Sequence, residues 1–194
     1  MASKPVIVIT GTSGAGKGTL ERPLMQRIPE LELAISATTR ERRGNEQHGV
    51  QYWFVSEERF QELLDEDAFI EHVDHPWGQR VGTLRSELDR IWAKGKVPML
   101  DLETKGALAI QREVPSAVTI FVKAPSFAEL ERRLRERASE SAGEIEKRLA
   151  VAREQLALED EFDHVIVNDD LDRAVDELEG VVREALAAAG SMAS

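Results

Sequence analysis

The chain has no cysteine, which excludes disulfides and thiolate metal sites. Its histidines, His48, His72, His75 and His164, fall at no metal-ligand spacing and read as non-catalytic. No apolar run approaches the roughly 18 residues that a membrane span needs. Residues 1–5 carry no apolar signal-peptide core, so the expected compartment is the cytoplasm. Positive charge is also short: Lys and Arg number 25 against 36 Asp and Glu, a net charge of −11. A chain whose main task is to bind nucleic acid or an anionic membrane is usually basic. Neither is expected as a partner, and no obligatory protein partner is evident. Internal repeats and low-complexity segments are absent as well. The last residues, 190–194, are small and polar and read as a frayed end.

What is present suits a soluble globular fold. The 194 residues are 42% apolar and 31% charged, enough for one domain or a core with an inserted subdomain. The stretch Gly11-Thr12-Ser13-Gly14-Ala15-Gly16-Lys17 organises the rest. The apolar run Val6-Ile7-Val8-Ile9 precedes it and an amphipathic run, Leu20, Leu24, Met25 and Ile28, follows. Strand, glycine-rich turn with lysine, then helix is the layout of a phosphate-binding P-loop. Glycines let successive N–H groups turn inward toward phosphate oxygens, the helix adds its positive end, and Lys17 adds a mobile cation. The next residue, which should be Ser or Thr to hold Mg²⁺, is Gly18, with Thr19 one place later. Either the metal is held through water and other groups, or Thr19 reaches it.

Along the chain, strands are expected at about 5–10, 31–36, 51–55, 69–73, 97–102, 118–122 and 164–167. Helices are expected at 16–28, with a kink or break at Pro23, at 56–64 and at 84–93 capped by Thr83. Further helices are expected at 105–112, at 126–137 behind the capping box Ser126–Glu129, at 144–158 and at 170–188. Residues 37–49 are too polar to be core, and 78–83 read as a turn or loop. Strands alternate with helices at both ends, which predicts an α/β fold: a central parallel sheet flanked by helices. The middle breaks that rhythm and reads as an insertion over the carboxyl edge of the sheet, where such folds bind ligands.

Several polar groups run against the local composition. Ser36, Thr38, Thr39, Arg40 and Arg43, with Glu46 and Tyr52 following, form either an anion clamp, in which arginine forks grip phosphate oxygens, or a solvated basic loop. Asp101 ends an apolar strand beside the P-loop edge. It can order Mg²⁺ and its waters, or bind an arginine of an acceptor site. Glu103 is either its partner or the acid of a helix N-terminus. Arg133 and Arg137 share a helix face at i, i+4, and Arg148 returns from the next helix. The three would neutralise a transferring phosphoryl group or make surface ion pairs. For Arg132 and Arg135, off that face, ion pairing with nearby glutamates is the better reading.

The motifs together resemble the guanylate kinase family. Ser-x-Thr-Thr-Arg-x-x-Arg, then Gly49-x-x-Tyr52-x-Phe54-Val55, is similar to its substrate-binding segment. Phe69-Ile70-Glu71-His72, Gly78-x-x-x-Gly82-Thr83 and Leu100-Asp101-Leu102-Glu103-x-x-Gly106-Ala107 match further family stretches. So do Arg133-Leu134-x-x-Arg137 through Lys147-Arg148-Leu149, and Val165-Ile166-Val167-Asn168-Asp169-Asp170-Leu171. The resemblance implies a P-loop kinase with a core at 4–36, 94–132 and 149–190. It implies a GMP-binding insertion at 37–93 and a helical lid at 133–148. It also implies transfer of the γ-phosphoryl group of ATP, with Mg²⁺, to GMP or dGMP. On this reading residues 11–19 bind ATP, Ser36, Arg40, Arg43 and Tyr52 hold the GMP phosphate, and Glu71 and Thr83 read guanine. Asp101 and Glu103 complete that side, with Asp101 holding metal through water. Lys17, Arg40, Arg133, Arg137 and Arg148 are the catalytic cations. A carboxylate accepting from the guanine N1–H and amine suits this, because adenine offers no such pair of donors.

The chain departs from the family pattern at Val81, where a phosphate-binding tyrosine is usual and for which Arg80 would substitute. It departs also at Glu103 in place of aspartate, at Gly44-Asn45-Glu46 and at Arg137-Ala138. These departures leave two rivals: a same-fold kinase for another phosphorylated acceptor such as a sugar bisphosphate, and a guanylate-kinase-like protein-binding module.

Overall fold

The computed structural model describes residues 5–75, 78–136 and 142–191, with the backbone alone at 142–144. Strand β1 (Val6–Gly11) is buried along its whole length. Its side chains alternate between two cores. Ile7 and Ile9 pack with Leu20, Leu24 and Ile28 and with Ala174, Val175, Leu178 and Val182. Val6 and Val8 pack with Leu88, Ile91, Leu100 and Phe121 on the other face. A strand covered by helices on both faces has no polar side, which is why residues 6–9 read as an unbroken apolar run.

Around β1 lies a five-stranded parallel sheet, in the order β2 (Leu31–Leu33), β7 (Val97–Asp101), β1, β8 (Ala117–Lys123), β9 (His164–Val167). Ile9 stands level with Asp101 and with Ile120. The carboxyl ends of β1 and β7 therefore reach the same edge, where the loop 11–17 begins. Helices α1 (Lys17–Arg27) and α7 (Leu171–Ser191) cover one face. The parallel α/β fold expected from the alternating pattern is the fold observed. Among the described residues no helix is long and apolar enough to cross a membrane.

Between β2 and β7 the chain builds a second sheet of β3 (Ala37–Thr38), β4 (Trp53–Phe54), β5 (Phe69–Asp74) and β6 (Arg80–Leu84), in the order β4-β3-β6-β5. Helix α2 (Glu57–Asp65) packs on it, and α3 (Arg85–Ala93) leads back to the core. Its own core is thin: Ala37, Phe60 and Phe69, ringed by half-buried Trp53, Val55, Leu63, Leu64 and Leu84. Phe60 and Phe69 stack with ring centroids 4.4 Å apart. Helix α4 (Thr104–Glu113) follows β7. Helices α5 (Phe127–Glu136) and α6 (Ala142–Leu156) share a separate apolar cluster of Leu130, Leu134, Ile145, Leu149 and Ala152.

Four local expectations are corrected. Helix α1 runs without a break through Pro23. Leu20, Leu24 and Ile28 are fully buried, and that packing holds the helix across the one missing N–H. Residues 37 and 38 are core after all, with Ala37 fully buried and Thr38 nearly so. The Thr38 hydroxyl escapes the usual penalty of burial by donating to the Arg80 carbonyl at 2.9 Å. Residues 80–84 are a strand rather than a loop, since β6 is paired on both sides, by β3 and by β5. Thr83 accordingly sits within that strand and caps nothing. Leu84 occupies the N-cap of α3, with no side-chain cap. By contrast Ser56 caps α2 as expected, its Oγ accepting from the Arg59 amide at 3.1 Å, and the Ser126 Oγ accepts from the Glu129 amide at 3.1 Å.

Candidate active site

The loop 11–17 is shaped by backbone that side chains would obstruct. Gly11, Gly14 and Gly16 take φ of +145°, +87° and +89°, a region where a Cβ is strained. A Cβ on Gly11 would stand 2.0 Å from the Val122 carbonyl oxygen. The turn is closed by the Ala15 amide donating to the Thr12 carbonyl at 3.1 Å. Two side chains then hold the Ala15 carbonyl from outside: Asn168 Nδ2 donates at 2.8 Å and Arg133 at 3.4 Å. Gln155 reaches across from α6, its Oε1 accepting from the Ser13 amide at 3.3 Å.

Lys17 opens α1, and its Nζ lies 3.5 Å from Asp101 Oδ1 at the end of β7. From there a cavity of about 220 Å³ extends under the small sheet. Lys17, Ser36, Arg40, Tyr52, Glu71, Asp101 and Glu103 all line it, as do Thr38, His75, Gln79 and Val81. The fold thus brings seven of the candidate residues to one cavity, drawn from four separate stretches of chain.

Within that cavity the two ends differ in charge. Arg40 is held rigidly, donating to Glu46 through both terminal nitrogens at 3.0 and 2.8 Å. It lies over the Tyr52 and Phe54 rings, 5.3 and 5.6 Å from their centroids. Hydrogen bonding from Arg40 keeps the Glu46 carboxyl below its ordinary value, and the same bond raises Arg40. Burial, and next the charge of Asp101, raise Tyr52. The far end holds Glu71, only 6% exposed. Burial raises its pKa, Thr83 pulls it back down, and Glu103 adds a smaller upward push. Thr83 stands opposite Glu71 in the antiparallel β5–β6 pair. Its buried hydroxyl lies close enough to lower Glu71 without completing a hydrogen bond. Gly106 makes the room: a Cβ there would stand 2.6 Å from Glu71 Oε2. The Glu71 carboxylate therefore rests on the first turn of α4, whose positive end favours an anion.

Other expected residues lie outside this cavity. The Arg43 side chain is exposed, and its backbone engages the clamp, the amide donating to the Glu46 carboxylate at 2.8 Å and the carbonyl accepting from the Glu46 amide at 2.9 Å. Arg80 does not stand in for the missing tyrosine. It packs over the Phe60 ring at 4.7 Å and donates to Asp74 and Gln61. Glu103 does line the cavity, but from the N-cap of α4, past the end of β7, with His75 Nε2 3.8 Å away. Thr19 does not face Lys17 and Asp101. Its Oγ1 donates to the Gly16 carbonyl at 2.6 Å, and it lines a second cavity with Gly14, Gly16, Arg133, Asn168 and Asp169.

Of the three arginines expected to converge, Arg133 is at the loop, donating to Glu129 at 2.8 Å and to the Asn168 carbonyl at 3.0 Å. Arg148 is exposed on α6 and lines neither cavity. Arg137 lies outside the described residues. Arg132 and Arg135 form surface ion pairs, to Glu129 and Glu136 and to Glu131, as their positions off that face predict. Hydrogen bonds from Arg132 and then Arg133 lower Glu129 to about 2.

Glu21 was missed. It is 7% exposed on α1, four residues after Lys17, against Asp101. Burial first, then the Asp101 charge, raise its pKa. An acid at i+4 from the loop lysine, beside the apolar positions 20 and 24, was the available signal. Asn168 and Gln155 were missed too, and their contacts across the fold leave no local trace. Among the described residues no group of three or more His, Cys, Asp or Glu is placed to hold a metal.

Known proteins resemble this chain in sequence and in fold. A sequence profile described as guanylate kinase matches residues 2–185. The guanylate kinase of Thermosynechococcus vestitus is 45% identical over 177 residues, covering 91% of this chain and 92% of that one. That of Synechococcus sp. strain JA-3-3Ab is 43% identical over 177 residues, covering 91% and 81%. The crystal structure of guanylate kinase from Anaplasma phagocytophilum superposes with a TM-score of 0.74 at 26% identity, covering 95% and 87%. Shikimate kinase from Bacteroides thetaiotaomicron, with a TM-score of 0.52 at 17% identity, shares the fold alone.

Proposed function

The chain belongs to the guanylate kinase family and is a nucleoside monophosphate kinase, and we propose that the residues assembled above carry the γ-phosphoryl group from ATP to GMP. The observation that carries this reading is the single cavity running from Lys17 and Asp101 to Glu71. Arg40 with Ser36 and Tyr52 suits a phosphate, Glu71 suits a base, and Lys17 of the P-loop lines the same cavity.

Chemistry of this kind needs no covalent enzyme intermediate. It needs two phosphates brought into line and their charge neutralised. On the ATP side, the amides of residues 11–17 and the Lys17 ammonium take the triphosphate. The second cavity, beside Arg133 and Asn168, suits the nucleoside end of ATP. On the acceptor side, Arg40, Ser36 and Tyr52 take the GMP phosphate, and Arg43 swings in from outside. Arg40 is already flat and aimed because Glu46 holds it, so little side-chain entropy is lost when phosphate arrives. Glu71 accepts from the guanine N1–H and amine, and the Thr83 hydroxyl, unsatisfied in the free protein, donates to O6. Buried and without those donors, Glu71 would be left unpaired by adenine. Arg133, with Arg137 and Arg148 brought over by the lid, stabilises the charge spread across the transferring oxygens.

A divalent cation fits this site. Asp101 offers hard carboxylate oxygens at the cavity edge, and the buried Glu21 Oε1 beside it has no hydrogen-bond partner. Oxygen donors of this kind suit Mg²⁺. When bound, Mg²⁺ would neutralise the phosphate oxygens of ATP.

Neither rival reading is favoured. Identity near 43% over nine-tenths of the chain is to guanylate kinases, and Glu71 and Thr83 stand opposite each other in the β5–β6 pair. The P-loop that a peptide-binding module would have lost is intact. The test is ADP release with ATP and a panel of GMP, dGMP, AMP, UMP and a ribose bisphosphate. GMP is expected to turn over fastest, with dGMP accepted. Faster AMP turnover, or no GMP turnover, overturns the proposal.

A further inference from the structure

P-loop proteins that hold Mg²⁺ through the loop do so with a hydroxyl one residue after the lysine. Here that residue is Gly18, and crowding is not the reason, since a Cβ on Gly18 would meet no atom within 4 Å. Thr19 does not replace the hydroxyl, because its Oγ1 is bound to the Gly16 carbonyl at 2.6 Å and faces the second cavity.

The oxygen that the loop lacks is found one turn further along α1. Glu21 follows Gly18 by three residues, so both lie on one side of the helix. It is 7% exposed, its Oε1 has no hydrogen-bond partner, and its carboxyl lies against the side chain of Asp101. Burying one acid against another is costly unless positive charge offsets it. The offset on hand is Lys17, a single charge 3.5 Å from Asp101. Once Lys17 turns to ATP phosphates, the two carboxyls face each other without it. A divalent cation supplies the missing charge, and carboxylate oxygens are the ligands it prefers.

We propose that Glu21 and Asp101 together form the carboxylate seat of the divalent cation that accompanies ATP, in place of the hydroxyl absent at Gly18. This rests on the phosphoryl-transfer reading of the site, and it assigns the metal to a residue of α1 outside the loop motif.

The probe is Mn²⁺, its binding followed by electron paramagnetic resonance on the full chain with a non-hydrolysable ATP analogue and no acceptor. Glu21→Gln is expected to weaken Mn²⁺ binding by about tenfold or more, with affinity for the metal-free analogue unchanged. Gly18→Ser added to Glu21→Gln is expected to recover most of the loss. Gln keeps the volume of Glu21 and can still donate to Asp101. A merely structural Glu21 therefore predicts equal Mn²⁺ affinity in the two proteins, and that result overturns the proposal. Should Glu21→Gln fail to fold, Mn²⁺-induced broadening of the side-chain carboxyl resonances in the native chain is decisive. Broadening of both Glu21 and Asp101 supports the seat, and broadening that spares Glu21 overturns it. Because no acceptor is present, failure of GMP phosphorylation in the native chain would count against the functional reading without altering this measurement.

Discussion

The ATP side and the acceptor side of this site are built in different ways. The P-loop grows from a strand buried along its whole length, and its shape is held by glycines packed against neighbouring backbone and side chains. The acceptor side is carried by a four-stranded sheet, two of whose strands are only two residues long, by a helix and by a three-residue buried core. Its aim comes from paired side chains: Arg40 with Glu46, and Glu71 opposite Thr83. A triphosphate cradle uses backbone amides, which need a rigid scaffold. A base reader uses side chains, which a thinner support can carry. The difference separates a deeply buried half from a thinly packed one.

The largest effect tests the rigid half. Gly11→Ala would place a Cβ 2.0 Å from a backbone oxygen of β8 and is expected to cost more than about 4 kcal/mol, read by chemical denaturation. Phe60→Ala empties the centre of the small core, where the ring is fully buried. It is expected to cost about 3–5 kcal/mol, to raise KM for GMP and to leave KM for ATP nearly unchanged. Equal changes in both constants would show that the two halves are not separable. Lys17→Ala is expected to lower kcat by about 10²–10³ with little change in thermal stability, since the side chain's ion pair is with a half-exposed Asp101.

The smallest effect concerns the base end. Glu71→Gln is expected to narrow the GMP-over-AMP preference by about 10- to 100-fold. Its pH behaviour has a definite sign. Burial raises the folded pKa of Glu71 above the unfolded value. The stability this group contributes is therefore complete below the unfolded pKa and lost as pH rises through the folded one. Ligand-free Glu71→Gln should melt above the native chain at pH 8, and the gap should close on acidification below about 4.3. In the native chain, GMP binding should weaken at a higher pH than an ordinary glutamate would impose.

Much of the fold was legible in the sequence because its core strands are covered on both faces. Such strands must be nearly all apolar: residues 6–9 are, and 118–122 are apart from Thr119, whose buried hydroxyl donates to Asp163 at 2.7 Å. The misses have a common origin in non-local pairing. Thr83 looks like a helix cap beside Leu84, until β3 and β5 pair with β6 and draw it into the sheet. Ala37 and Thr38 look like loop within a polar stretch, until Phe60 and Phe69 cover Ala37 and the Arg80 carbonyl satisfies Thr38. Pro23 looks like a break, until the residues on either side of it are buried.

The sequence by itself determined the P-loop and the parallel sheet around it, because spacing and composition are local quantities, and it supplied the residues for which acceptor-binding roles are proposed. Only the tertiary structure decided which of these meet. It brought Lys17, Arg40, Glu71 and Asp101 to one cavity and left the side chains of Arg43 and Arg80 outside it. It also turned Thr19 to the wrong side and set Glu21 against Asp101. Those outcomes depend on strand register and on which helix face is buried, and both are settled by contacts between residues far apart in the chain.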